Sequence, residues 1–214
     1  MRTEIIRTIE EAGQTLALRK RGDAWDVVLG NVVLLSSAAL GTELAFGEMV
    51  KEVAPGAVRV LVGGLGFGAT VRGVLNVSGP DVEVVVVEKL QAICDLTRGE
   101  LAQLAGDVLA DPRVRLVQDD VVDVIAREKG LGAILLDVDN GPDWASFRTN
   151  ARLYAPGALA AAREALVPGG AYAVWSGYKA DAFLGKLRAA KLTPRIVELR
   201  ENGVMQARAY VGVR

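Results

Sequence analysis

The sequence predicts an α/β protein: a doubly wound, Rossmann-like, mostly parallel sheet with a C-terminal antiparallel hairpin and a small N-terminal β-hairpin region. Three observations carry this expectation. From residue 57 onward, short apolar runs alternate regularly with segments of helical spacing. The run VEVVVVE (82–88) is too uniformly β-branched for a one-sided strand, so both its faces should be covered. The 214 residues are 51% hydrophobic yet only 5% aromatic. That Val-, Leu- and Ala-rich mix suits a buried parallel sheet under Ala- and Leu-rich helices.

In chain order, TLALRKR, WDVVLG and VVLLS (within 14–35) read as short strands separated by Arg21-Gly22-Asp23 and by the tight-turn pair Gly30-Asn31. Residues 39–53 have helical spacing, with Leu40, Leu44, Met49 and Val53 on one face, and Pro55-Gly56 ends that unit. The boundary near residue 55 gives an extension, 1–55, and a Rossmann-like domain, 56–214. Strands are expected at 58–63, 82–88, 114–118, 133–137 and 171–176. Helices are expected at 69–77, 89–106, 120–129, 154–167 and 179–190. Two final strands, 195–199 and 206–213, meet at Asn202-Gly203 and read as a hairpin.

Composition removes several classes of function. The 25 basic and 26 acidic residues nearly balance, so no electropositive surplus points to nucleic acid or an anionic membrane. The basic run Arg19, Lys20, Arg21 reads as a solvated turn. No uninterrupted apolar run is long enough to span a bilayer, and the charged opening MRTEIIRTIEE lacks a signal-peptide core. Cys94 is the single cysteine, expected as a small buried hydrophobe; this excludes an intrachain disulfide or a cysteine metal cluster and fits a reducing, cytoplasmic setting. Histidine is absent. The commonest general base and metal ligand are therefore missing, no metal is expected, and proton transfer falls to Asp, Glu, Tyr, Lys or water.

The densest signal is Gly63-Gly64-Leu65-Gly66-Phe67-Gly68, which follows the first strand of the alternating region and opens a helix. Glycines there let the backbone turn tightly and approach a ligand. Glu88 ends the next strand, 20 residues after Gly68, where a carboxylate can accept both hydroxyls of an adenosine ribose. The spacing Gly64, Gly66, Ala69 equally fits a dinucleotide loop, so NAD(P) competes at this point. Asp119 follows the third strand, within reach of an adenine amino group, and Asp137-Val138-Asp139-Asn140-Gly141-Pro142 follows the fourth. Acids after three successive strands suit adenosine bearing a cationic sulfonium, as in S-adenosylmethionine (SAM), better than a pyrophosphate.

These segments resemble the polyamine aminopropyltransferases, the spermidine synthase family on the SAM-methyltransferase fold. VRVLVGGLGFGATVRGVL is similar to that family's first strand and glycine loop. VEVVVVEKLQAI is similar to the strand with the ribose acid, here Glu88, and DPRVRLVQDD to the strand with the adenine-side acid, here Asp119. AILLDVDNGP is similar to the start of the gate loop, where the family keeps an aspartate for the attacking amine, here Asp137. LLSSAALGTELAFGEM is similar to the helix after an N-terminal β region, and its Glu43 falls near polyamine-side residues. The resemblance implies SAM or decarboxylated SAM as donor, methylthioadenosine as a product, and a small amine as acceptor. It also implies assembly as a homodimer or homotetramer.

Two departures mark a divergent branch. The family carries an Asp inside the loop, in a GGGDG pattern; Gly66 stands here, so a charge that selects decarboxylated SAM is missing. The gate pattern Asp-x-x-Asp-Pro is replaced by Asp137-Val138-Asp139-Asn140-Gly141-Pro142. Asp137 is the first candidate to hold an ammonium and take its proton, with Asp139 second. Tyr154 and Tyr178 are candidates to orient the acceptor and Trp175 to wall the pocket. Each has a plainer reading: strand-end or turn acids, packed aromatics, and for Glu43 with Glu48 a solvated helix face. A SAM-dependent methyltransferase, a nucleoside-binding protein without catalysis and an NAD(P)-dependent reductase stay open beside aminopropyl transfer.

Overall fold

The structure is a computed structural model that describes residues 3–11, 13–30, 32–138, 141–142, 148–201 and 203–214. Two sheets make up the fold. The first is antiparallel, with β1 (Thr3–Glu11), β2 (Gln14–Arg21), β3 (Ala24–Leu29) and β4 (Val32–Ser36) in that order. The expected antiparallel N-terminal region is therefore present and carries one strand more than the sequence reading gave. That strand, TEIIRTIEE, is solvent-exposed along nearly its whole length, so it lacks the alternation that marks a half-buried strand. Leu16, Leu18 and Val27 form the sheet's buried face. Asp26 is buried beside them. Burial opposes its charge, but the Ser36 hydroxyl at 2.7 Å and the guanidinium groups of Arg19 (3.0 Å) and Arg21 (3.4 Å) outweigh that and hold its carboxyl below the ordinary range.

A 3-10 turn, Ser37–Ala39, leads into α1 (Leu40–Glu48) and α2 (Val50–Val53). The single helix expected over 39–53 is thus two, although Met49 N–H to Ala45 O and Val53 N–H to Met49 O, each 3.0 Å, keep the path nearly continuous.

The second sheet has seven strands: β5 (Arg59–Gly63), β6 (Glu83–Glu88), β7 (Val114–Gln118), β8 (Leu131–Leu136), β9 (Leu166–Ser176), β10 (Thr193–Glu201) and β11 (Val204–Val213). Their spatial order is β10-β11-β9-β8-β5-β6-β7. The pairs β5/β6, β6/β7, β5/β8 and β8/β9 are parallel; β11 runs antiparallel to β9 and to β10. Helices α3 (Ala69–Val77), α4 (Gln91–Arg98), α5 (Val121–Arg127), α6 (Pro156–Ala165) and α7 (Phe183–Ala189) connect the strands. Two hydrophobic clusters, one on each face, enclose Val60, Val62, Val84 and Val86 on one side and Leu61, Val85, Ile134 and Leu136 on the other. The helix expected over 89–106 stops at Arg98. The Gly99 N–H turns back to Asp95 O and Leu96 O at 3.0 and 3.1 Å, and a 3-10 turn, Ala102–Ala105, follows.

The chain builds β5, β6 and β7 outward in one direction, then returns to place β8 on the other side of β5. The carboxyl ends of β5 and β8 therefore flank the topological switch point, where open α/β sheets receive ligands.

Helices α1 and α3 cross at two glycines. A β-carbon on Gly47 would overlap the Thr70 carbonyl oxygen and lie 2.8 Å from the Val74 nitrogen; one on Gly73 would overlap the Leu44 carbonyl and lie 2.9 Å from the Glu48 nitrogen. Only glycine lets the two backbones approach this closely. The crossing brings Glu43 of α1 against the start of α3.

Candidate functional site

At the switch point the Asp137 N–H donates to Gly63 O at 2.8 Å, and the Gly64 N–H to Val87 O at 2.9 Å. Gly64 has φ +91°, and a β-carbon there would overlap the Asp137 carbonyl oxygen. Gly66, at φ +50°, is different: among the described residues a β-carbon would meet only the Leu35 Cδ2, at 3.6 Å. Gly64 is thus required by backbone approach, whereas Gly66 leaves open space beside the loop. Gly68, at φ +88°, starts α3 under Val108, and Gly63 packs under Leu136 and Val121.

Above the strand ends lies a cavity of about 520 Å³, a size suited to a small ligand. Gly64, Gly66, Glu88, Asp119, Asp137, Glu43 and Trp175 all line it. The N-terminal sheet supplies a further wall through Gln14 and Val33–Ser36.

Glu88 is held by the backbone around it. Its Oε2 accepts the Leu65 N–H at 3.0 Å and its Oε1 the Leu90 N–H at 2.8 Å. Burial pushes its carboxyl above the ordinary range, and these N–H groups partly offset that. A carboxylate can accept about four hydrogen bonds, so beyond the backbone N–H groups that hold it Glu88 retains acceptor capacity for a ribose hydroxyl.

Asp137 sits deeper. Its Oδ2 is 2.6 Å from the Thr70 hydroxyl, which also lies 3.2 Å from the Glu43 carbonyl oxygen. Burial pushes the Asp137 carboxyl up to about 6, with the Thr70 hydrogen bond opposing the rise. Glu43 is pushed well above its ordinary value, first by burial and then by the Asp137 charge. Two carboxyls thus share one poorly solvated corner, where a cation would relieve both.

Asp119 lines the outer part of the cavity. Its Oδ2 accepts from Arg127 at 2.7 Å and its Oδ1 from the Asp120 N–H at 2.8 Å, and chiefly the Arg127 bond holds its carboxyl below the ordinary range. Asp120 is more enclosed. It caps α5 through the Val122 N–H at 3.1 Å, bonds Lys89 at 3.1 Å and pairs with Arg152. Lys89, Asp120, Arg152 and Gln14 are cavity residues that the sequence reading missed. For Asp120 a signal existed, because an acid directly before an apolar helical run reads as an N-cap.

Two expected acceptor residues lie elsewhere. Tyr154 is buried against Phe183 in an edge-on contact, centroids 5.6 Å apart at 83°, and borders a second cavity of about 530 Å³ between α6 and α7. An aromatic opening a helix looks the same in sequence whether it faces a ligand or the core. Tyr178 is exposed and outside the cavity lining. Asp139, with Asn140, lies outside the described residues. Among the described residues no cluster of three or more acids or cysteines is arranged to hold a metal, and no helix is long and apolar enough to cross a membrane.

The sheet order, with a glycine loop and strand-end acids around one cavity, defines a doubly wound, Rossmann-like protein with a candidate ligand site at its switch point. Over 179 residues, 81% of this chain, it is 33% identical to the polyamine aminopropyltransferases of Mycobacterium tuberculosis and Mycobacterium bovis. The chain belongs to the spermidine synthase/polyamine aminopropyltransferase superfamily. It spans about a third (33%) of the length of those relatives, and no family-wide sequence profile matches it. Among solved structures, the spermidine synthase of Thermotoga maritima superposes with a TM-score of 0.76 at 17% identity, over 98% of this chain and 72% of that one. A spermidine synthase in complex with the transition-state analogue AdoDATO gives 0.75 at 16% identity, over 97% and 72%. A probable spermidine synthase of Corynebacterium glutamicum gives 0.69 at 18%, over 98% and 80%. These structural likenesses share the fold.

Proposed function

We propose that the chain is a transferase that binds SAM or decarboxylated SAM and moves an aminopropyl group onto a small amine. The observation that carries this reading is the Glu43–Asp137 corner: two carboxyls, both pushed above their ordinary range, at the switch point of a nucleoside-type cavity. Glu88 is assigned the ribose hydroxyls, Gly64 and Gly66 the close approach of the nucleoside, and Asp119 with Asp120 the adenine side. Trp175 walls the acceptor end.

The donor supplies a carbon activated by a sulfonium, whose C–S bond breaks as the N–C bond forms, with the electron pair left on sulfur. The chain's residues handle the rest. Asp137 and Glu43 hold the incoming ammonium, and ionised Asp137 takes the proton that the nitrogen must lose before attack. A carboxyl near 6 is a better base at neutral pH than an ordinary aspartate while remaining mostly ionised. In-line placement of amine and carbon supplies the remaining rate, as for other displacements held in a shaped site.

A second reading, methyl transfer from ordinary SAM, is favoured by Gly66. Among the described residues only the Leu35 side chain comes within 4 Å of a β-carbon placed there, and Gly66 itself carries no carboxylate to repel the methionine carboxylate. Calorimetric titration with SAM, decarboxylated SAM and methylthioadenosine tests both. Preference for decarboxylated SAM, with product formed from a polyamine panel, supports aminopropyl transfer. Equal or tighter binding of SAM transfers the assignment to methyl transfer, and binding of none of the three overturns the nucleoside site.

A further inference from the structure

The end of β1 reaches the start of α4, beside residues that line the cavity. Glu11 Oε1 accepts the Gln91 N–H at 2.7 Å and Oε2 accepts the Ala92 N–H at 2.9 Å. These are the first two amides of α4, and such amides have no acceptor within their own helix. The residue before the helix, Leu90, offers no side-chain cap. A carboxylate from a strand 80 residues away in sequence fills that role instead, placed where the helix dipole favours negative charge.

The clamp borders the segment expected to hold the ribose. Only Lys89 and Leu90 separate Glu88 from α4, and Glu88 Oε1 takes the Leu90 N–H. The amides of Leu90, Gln91 and Ala92 are therefore fixed in sequence by two carboxylates, Glu88 from below and Glu11 from the N-terminal sheet. Lys89, Leu90 and Ile93 all line the cavity, as does Gln14 at the start of β2, just beyond the β1–β2 connection. The same sheet makes one more contact with this region, Arg7 to Glu100 at 3.1 Å, but that pair is exposed and lies beyond the end of α4.

We propose that Glu11 is a positioning residue of the nucleoside site: it tethers the N-terminal sheet to the start of α4 and so holds the Glu88–Ile93 segment in its binding shape. The proposal rests on the nucleoside reading above, but the tether itself is readable without ligand. In the ligand-free protein, Glu11→Ala should speed amide exchange at Leu90, Gln91 and Ala92 and leave the β6 core amides unchanged. No local change, or acceleration spread equally over β6 and α4, overturns the tether.

Methylthioadenosine titration supplies the functional arm. Glu11→Ala should bind roughly fivefold or more weakly, the scale of losing a charged helix cap. Arg7→Ala, which breaks only the exposed pair, should bind as the parent chain does. In a Glu88→Ala background, adding Glu11→Ala should cost clearly less than it does alone, because both act through one segment. Parent-like affinity of Glu11→Ala, or full additivity with Glu88→Ala, overturns the positioning role while leaving the nucleoside reading intact. A parent chain that binds no nucleoside overturns that reading and the positioning role together, and the exchange result then decides the tether alone.

Discussion

Asp137 pairs a chemical advantage with a structural cost. Its folded-state carboxyl, at about 6, lies above the ordinary 3.8. The folded chain therefore holds that proton more tightly than the unfolded chain. Its relative contribution to stability is fully present below about pH 4 and is lost as pH rises through 6. Replacing it by Asn removes the penalty and keeps a partner for Thr70. Asp137→Asn should thus be more stable than the parent at pH 8, by on the order of 3 kcal/mol at ~1.4 kcal/mol per pKa unit, and match it near pH 4. Thermal melts across that range check the sign. Turnover should fall steeply in the same variant while methylthioadenosine affinity holds. Glu88→Ala has the opposite profile: loss of charged hydrogen bonds worth about 1.5–3 kcal/mol each predicts nucleoside binding weaker by roughly 10- to 100-fold for one bond and by more than about 100-fold for two, read by calorimetry. Glu88 was legible in sequence because it ends an uninterrupted β-branched run. Glu11 and Arg152 were not, since nothing within ten residues of either marks it; they reach the cavity region only through folding.

At the scale of elements, the glycine crossing of α1 and α3 decides where the acids meet. Gly47 and Gly73 look dispensable in sequence, each an isolated glycine inside a helical pattern. In the structure a methyl group at either would press on the backbone of the other helix. Gly73→Ala should therefore destabilise the fold by roughly 1–3 kcal/mol, measured by denaturant midpoint. It should also weaken amine-dependent turnover more than nucleoside binding, because Glu43 moves with α1 while Glu88 does not. The unit β5–α3–β6 was readable almost residue for residue, since buried parallel strands and a glycine turn leave a strong local pattern. β1 was not, since a strand exposed on both faces carries none. The helix expected over 89–106 failed at Gly99 because apolar spacing continues through Leu101 and Leu104 although the backbone turns there.

The whole molecule builds one cavity from two sheets. The seven-stranded sheet contributes the strand-end acids and the glycine turn, α1 contributes Glu43, and the four-stranded sheet contributes Gln14, the β4 wall and the Glu11 clamp. The fold class and the mostly parallel character of the large sheet follow from alternation along the chain, which is local information. The closure of the cavity by the first sheet depends on contacts between segments far apart in sequence, and no periodicity encodes those.

Cys94 lies on the inner face of α4, two residues after the pair that Glu11 caps. It is almost wholly buried, and burial first, with the Glu88 charge second, pushes its thiol up to about 11. As the single cysteine of 214 residues, it makes the chain its own sentinel. A thiol-specific dye at pH 8 should stay silent on the native protein and react only when α4 lifts or the molecule opens. Added nucleoside should slow that reaction in proportion to its occupancy. A dye that reacts at once in native buffer would contradict the burial. The clock needs no engineered label, and comparing its rate in the parent and in Glu11→Ala separates the lifting of one helix from the opening of the whole.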